Sequence, residues 1–108
     1  MDTLIAHNIT KLSAQVGQVL KEKKFTLALA ESCTGGLASA AITDISGSST
    51  WFDRGFITYS NTAKQQMLGV SKETLSQYGA VSEETAQAMA MGALSKSGAD
   101  IAGSITGI

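Results

Sequence analysis

A turn with the sequence Glu-Ser-Cys-Thr-Gly-Gly at residues 31–36 constrains the fold of this chain most strongly. It follows an apolar run at 25–30, which is typical of a buried strand, and it precedes Leu37–Thr43, which begins like a helix. A strand-to-helix turn collects backbone N–H groups and the positive end of a helix dipole, which together stabilise anions and developing oxyanions. The same pattern also occurs in ordinary connections, so this segment alone leaves its role open.

Strands and helices are predicted to alternate along the rest of the chain. Helical spacing of apolar residues indicates an amphipathic helix from about residue 2 to residue 23, and three further helices are expected to begin at the caps Asn61, Ser71 and Ser82. Strands are predicted at 25–30, 51–59 and 101–105. This order indicates an α/β fold: a three-layer sandwich with a mostly parallel sheet flanked by helices, forming a single domain over residues 1–108.

Composition excludes several classes of protein. The chain has 108 residues, of which 44% are hydrophobic and 16% charged, so it is expected to be globular. Its net charge is −1 with scattered lysines, which gives no basic patch for nucleic acid. It has no apolar run long enough for a membrane span and no signal peptide, so we expect a cytoplasmic protein without a membrane partner. A single cysteine and a single histidine argue against a disulfide or a zinc site.

The predicted sheet also locates a candidate site. In parallel sheets, ligands bind outside the carboxyl ends of the strands, and three segments of this chain leave predicted strands at that edge. If those ends converge, the site contains Ser32, Cys33, Thr34, Tyr59, Lys64 and Thr106.

Two nucleophiles and one base are candidates among these residues. Ser32 needs a base to take its proton, and His7 lies on the first helix with no triad around it. Lys64 falls in the first turn of a predicted helix, where burial and the helix dipole lower a lysine pKa, and serine–lysine pairs are an accepted catalytic arrangement. Cys33 is the rival nucleophile. The ordinary alternatives are a solvated surface lysine and a small buried cysteine.

Five ordered motifs resemble the CinA C-terminal domain family. The resemblance covers essentially the whole chain, and five motifs in the same order are highly specific. The motifs are LAESCTGG at 29–36, ISGSS at 45–49, WFDRGFITYSNTAK at 51–64, GAVS at 79–82 and SITGI at 104–108. Standalone members of this family are nicotinamide-nucleotide amidohydrolases of bacterial pyridine-nucleotide salvage.

The resemblance implies hydrolysis of nicotinamide mononucleotide to nicotinate mononucleotide and ammonia. Ser32 matches the nucleophile, Lys64 the base and Tyr59 the tyrosine beside that pair. No metal or organic cofactor is implied. Further residues are expected to bind the substrate or its oxyanion, namely Thr34, Gly35, Gly36, Ser48 and Thr106.

This sequence differs from the family pattern at one point. In the family, the last motif continues into a glycine-proline loop, further strands and a final helix, whereas this sequence ends at Ile108. We therefore expect a domain that is incomplete at its C-terminus, with weak activity and a tendency to form homo-oligomers through an exposed sheet edge. The alternative function is a catalytically silent nucleotide-binding or interaction module of the same fold.

Overall fold

Five α-helices and three β-strands form the described part of the chain. The computed structural model describes residues 2–108. In chain order the elements are α1 (Thr3–Lys23), β1 (Leu27–Glu31), α2 (Leu37–Thr43), β2 (Phe52–Ile57), α3 (Asn61–Leu68), α4 (Lys72–Tyr78), α5 (Glu83–Lys96) and β3 (Ile101–Ile105). A short 3-10 turn, Ser48–Thr50, precedes β2. No helix of residues 2–108 is both long enough and apolar enough to cross a membrane.

The sheet has the order β2-β1-β3, and β1 pairs in parallel with both neighbours. Glu31, the last residue of β1, lies opposite Ile57 and Ile105, so all three strands end at the same edge. The apolar sequence of β1 fits its central position. This parallel register places the segments that follow the strands side by side.

Helices cover both faces of the sheet, which confirms the predicted three-layer α/β sandwich. Alternate residues of β1 point to opposite faces. On one face, Ala28 and Ala30 pack in a buried cluster with residues of α3, α4 and α5. On the other face, Leu27 packs with Leu20 of α1, Ile42 of α2 and Trp51.

The predicted caps and strand ends differ in detail from the structure. Ser60, and not Asn61, caps α3, because its hydroxyl accepts a hydrogen bond from the Ala63 N–H at 2.9 Å while Asn61 is already helical. The second strand ends at Ile57 instead of residue 59, because the carbonyl groups of Thr58 and Tyr59 accept hydrogen bonds from a lysine side chain. Both differences affect the segment that positions Lys64.

Helix α1 contacts the sheet through a narrower apolar strip than its sequence predicts. Leu12 and Val16 are exposed, whereas Ser13 and Gly17 are buried. A Cβ atom at position 17 would overlap the indole ring of Trp51, so the glycine allows this close approach. The position of α1 is therefore set by the packing of Trp51.

Candidate active site

Ser32 and Lys64 meet at the carboxyl edge of the sheet. Ser32 follows β1 directly, and its N–H donates to the Ile105 carbonyl at 3.0 Å, which fixes the backbone at Ser32. Lys64 lies in the first turn of α3. Its side chain reaches back toward Ser32, and the residue is only 1% exposed. The Lys64 Nζ and Ser32 Oγ atoms are 3.0 Å apart. The structure thus excludes the alternative of a solvated surface lysine.

Lys64 is buried among neutral polar groups. Its Nζ donates to the carbonyl oxygens of Thr58 and Tyr59, each at 3.0 Å. The single ion pair within residues 2–108 joins Arg54 to Asp53, so no described carboxylate balances the lysine. Burial lowers the Lys64 pKa, and a smaller electrostatic contribution from the neighbouring Cys33 side chain opposes that shift. Burial thus shifts Lys64 toward its neutral form.

Glu31 is a buried ionisable residue that the sequence reasoning did not include in the site. Its side chain is 0% exposed. One carboxylate oxygen accepts from the Thr34 hydroxyl at 2.6 Å and from the N–H groups of Gly36 and Ala38 at 3.1 and 3.0 Å. The other accepts from the N–H and hydroxyl of Ser39 at 2.9 and 2.6 Å.

These five hydrogen bonds keep Glu31 ionised. Burial alone raises the Glu31 pKa, but the hydrogen bonds from Ser39, Thr34 and the backbone outweigh it, so the net pKa is lowered. The signal in the sequence was an acidic residue at the end of an apolar strand, directly before a helix, where a carboxylate can accept the first N–H groups of that helix.

An open cleft of about 360 Å³ gives access to the serine and the lysine. Cys33 is exposed at this cleft, and the Tyr59 side chain beside it is 77% exposed. The structure therefore excludes the small buried cysteine, and it brings both candidate nucleophiles to the same cleft. The lining residues are Ser32, Cys33, Tyr59, Lys64, Ala80, Gly107 and Ile108.

Several predicted substrate-binding groups already have partners within the protein. The Thr34 hydroxyl and the Gly36 N–H donate to Glu31, and the Gly35 N–H donates to the Ser32 carbonyl at 3.1 Å. The Thr106 hydroxyl donates to the Ala80 carbonyl at 2.8 Å. These bonds hold the walls of the cleft, and a direct role of those residues in substrate binding stays a prediction.

Ser48, a predicted site residue, lies away from the cleft, and so does His7, which the sequence reasoning set aside. Ser48 is buried in the 3-10 turn that precedes β2, at the opposite end of the sheet from Ser32. A role for Ser48 in the same pocket stays a prediction that this arrangement does not support. His7 is exposed on α1, in line with its exclusion as a catalytic base. Within residues 2–108, no three His, Cys, Asp or Glu side chains cluster as a metal site would require.

Comparisons with known proteins agree with this architecture. The model of the CinA C-terminal domain matches residues 9–108. The nicotinamide-nucleotide amidohydrolase PncC of Enterobacter agglomerans is 59% identical over 98 residues, which cover 91% of this chain and 60% of that protein. PncC of Escherichia coli K12 is also 59% identical, over 93% of this chain and 61% of its own length.

Solved structures share the fold. The competence/damage inducible protein CihA of Agrobacterium tumefaciens has a TM-score of 0.90 and 49% identity, over 93% of this chain and 61% of that protein. A CinA superfamily protein of Escherichia coli has a TM-score of 0.90 and 37% identity, over 92% and 58%. The chain thus spans about 60% of the length of these relatives. The sequence, the fold and the family model agree, and this chain belongs to the CinA C-terminal domain family.

Proposed function

We propose that this chain carries the serine–lysine centre of a nicotinamide-nucleotide amidohydrolase, which converts nicotinamide mononucleotide to nicotinate mononucleotide and ammonia. The observation that carries the proposal is the 3.0 Å contact between Lys64 Nζ and Ser32 Oγ in a buried setting. The PncC relatives, which are 59% identical, are named for this activity and support the choice of substrate.

Lys64 Nζ donates to three acceptors at 3.0 Å each, which are Ser32 Oγ and the carbonyl oxygens of Thr58 and Tyr59. We propose that the reactive form is the neutral amine, which keeps the two bonds to the carbonyl groups. A neutral amine has two N–H groups, and the carbonyl oxygens of Thr58 and Tyr59 accept both. The remaining lone pair then faces Ser32, whose hydroxyl can donate to it at 3.0 Å. The Tyr59 carbonyl is a more distant acceptor for that hydroxyl, at 3.4 Å. Lys64 is therefore suited to accept the serine proton.

The reaction follows from this arrangement. Ser32 Oγ attacks the carboxamide carbon while its proton passes to Lys64 Nζ. When the tetrahedral intermediate collapses, the carbon–nitrogen bond breaks and Lys64 returns the proton to the leaving nitrogen, which departs as ammonia. A water molecule then attacks the ester on Ser32 while Lys64 takes its proton. The ester bond breaks, Lys64 gives that proton to Ser32 Oγ, and the acid product leaves as a carboxylate after losing its own proton to solvent.

The oxyanion of that intermediate needs hydrogen-bond donors near Ser32. The N–H groups of Gly35 and Gly36 already have acceptors, so in the turn we assign this role to the N–H groups of Cys33 and Thr34, which have no acceptor within residues 2–108. Tyr59 forms one side of the cleft and holds Lys64 through its carbonyl oxygen, and its exposed phenol is available to a bound substrate.

The wider setting of the protein belongs to the same proposal. A small nucleotide is the expected substrate, and neither a metal nor an organic cofactor is needed for the steps given above. Relatives from Enterobacter and Escherichia support a bacterial salvage enzyme, which we place in the cytoplasm. A homo-oligomer is proposed because both outer strands of the three-stranded sheet have an unpaired edge within residues 2–108.

Paired serine and cysteine variants test this function. We expect Ser32→Ala to lower the rate of ammonia release from nicotinamide mononucleotide by at least about 10³-fold, because it removes the nucleophile. Cys33→Ala is the matched control and should keep most of the activity. Near-normal activity of a folded Ser32→Ala protein, with loss in Cys33→Ala, would reassign the nucleophile. Thermal stabilisation of the wild type by the nucleotide without any ammonia release would favour the silent binding module.

A further inference from the structure

We propose that Glu31 is a positioning residue: its buried carboxylate holds the turn 32–36 so that Ser32 faces Lys64. The proposal rests on the function given above. It concerns a residue that does not line the cleft and so does not touch the substrate. Glu31 lies next to Ser32 in the chain, and its five hydrogen bonds all reach forward to residues 34–39.

The carboxylate fixes both ends of the nucleophile turn. Its own backbone is held in the centre of the sheet, where the Thr58 N–H donates to the Glu31 carbonyl at 2.7 Å. Its side chain is bound to Thr34 within the turn and to the first N–H groups of α2. Ser32 lies between these two anchors, so its backbone has little freedom to move away from Lys64.

The donor set requires a carboxylate at this position. Each carboxylate oxygen accepts at least one backbone N–H, from Gly36 and Ala38 on one side and from Ser39 on the other. Hydroxyl groups can rotate and become acceptors, but a backbone N–H can only donate. Glutamine would place an NH₂ group against one of these N–H groups and leave it without an acceptor. An isosteric amide therefore cannot reproduce this network.

A close contact with β2 supports the same network. The Ser39 hydroxyl donates to Glu31, and a Cβ atom at Gly55 would overlap that hydroxyl. Glycine at this strand position thus leaves room for Ser39 to reach the carboxylate. Gly55→Ala should push Ser39 away and weaken the network without altering Glu31, Ser32 or Lys64.

The experiment measures Ser32 reactivity and turnover separately. A fluorophosphonate probe forms a bond between Ser32 Oγ and phosphorus, releases fluoride and gives the serine proton to the base, so it reports nucleophile geometry without the nucleotide. The labelling rate, with the labelled peptide identified by mass spectrometry, is compared with kcat and KM for ammonia release and with the thermal midpoint. Variants are Glu31→Gln, Ser39→Ala and Gly55→Ala, and the matched control is Ser76→Ala, an exposed serine of α4.

We expect Glu31→Gln to lower both the labelling rate and kcat by about 100-fold or more, with KM changed less than threefold. Ser39→Ala and Gly55→Ala should lower both by about tenfold, and Ser76→Ala by less than twofold. If Glu31→Gln does not fold, the labelling rates of Ser39→Ala and Gly55→Ala test the proposal instead. Wild-type labelling rates in folded variants with a lower thermal midpoint would overturn the positioning role and leave a purely structural one.

The probe also separates the two proposals. Labelling of Ser32 that depends on Glu31, in a protein that releases no ammonia, would support the positioning role and contradict the proposed substrate. Absence of Ser32 labelling in the wild type would overturn the nucleophile and the positioning role together.

Discussion

The two ends of the sheet bury side chains of opposite character. At the carboxyl end, Glu31, Thr58 and Lys64 are at most 1% exposed, and each forms hydrogen bonds within the protein. At the amino end, Leu27 and Trp51 pack in an apolar cluster with residues of α1 and α2. Burying a charged or polar group costs free energy that hydrogen bonds offset only in part, whereas burying apolar surface stabilises the fold.

This difference predicts a separation of activity from stability. Changes at the carboxyl end should lower the rate of the reaction by orders of magnitude, far more than changes at the amino end do. Changes at the amino end should mainly lower the free energy of unfolding. A single variant that fails this rule would weaken the comparison.

The largest effect is expected for Lys64→Arg. An arginine is always positively charged and cannot act as a base near neutral pH, so we expect ammonia release to fall by about 10³-fold or more, as with Lys64→Met. The methionine variant leaves the Thr58 and Tyr59 carbonyl groups without their donor, so its free energy of unfolding should fall by about 1–3 kcal/mol. Lys72→Arg, at an exposed lysine, is the control. Recovery of activity in Lys64→Arg would mean that Lys64 acts through its charge.

Trp51→Ala tests the apolar end. Trp51 is 3% exposed, and its removal should lower the free energy of unfolding by about 3–5 kcal/mol. The rate per folded molecule, measured well below the thermal midpoint, should change less than threefold, because the cleft lies at the other end of the sheet. Tyr78→Ala, at a half-exposed aromatic residue, is the control. A large loss of rate in folded Trp51→Ala protein would show that the two ends are coupled.

Tyr59→Phe should have the smallest effect. The structure shows the Tyr59 carbonyl in contact with Lys64 while its side chain is exposed, so removal of the hydroxyl should lower kcat by less than about tenfold. The measurement is kcat for ammonia release beside that of Tyr78→Phe. A loss of 100-fold or more at Tyr59 alone would place the phenol in the reaction.

The sequence predicted which strand ends come together at the carboxyl end of the sheet. It did not predict the packing and hydrogen bonds among the residues there. Parallel strands end at one edge, so Ser32 and Lys64 were expected to approach each other from the order of the elements alone. The burial of Lys64 depends on how α3 packs against α5, where a Cβ atom at Gly92 would overlap the Leu68 carbonyl. Such a contact between distant residues has no signature in local sequence.

Two further features could not be predicted from the local sequence for the same reason. The five donors to Glu31 come from a turn and a helix whose geometry is fixed only in the folded chain. In α1, the apolar spacing predicted the helix but not its contact face, because that face is set by Gly17 against Trp51. Periodicity indicates that a helix is amphipathic, and tertiary packing decides how much of its apolar side is covered.

The protonation state of Lys64 is the central claim, and an NMR titration of lysine Cε and Nζ in the wild type measures it directly. Burial favours the neutral amine, so Lys64 should lose its proton below the ordinary lysine range. The pH dependence of catalysis should have a matching direction. We expect kcat/KM to rise with pH through the same transition, because only the neutral amine accepts the Ser32 proton. Titration of Lys64 within the ordinary lysine range would contradict the account, since the lysine would then be a fixed cation at neutral pH.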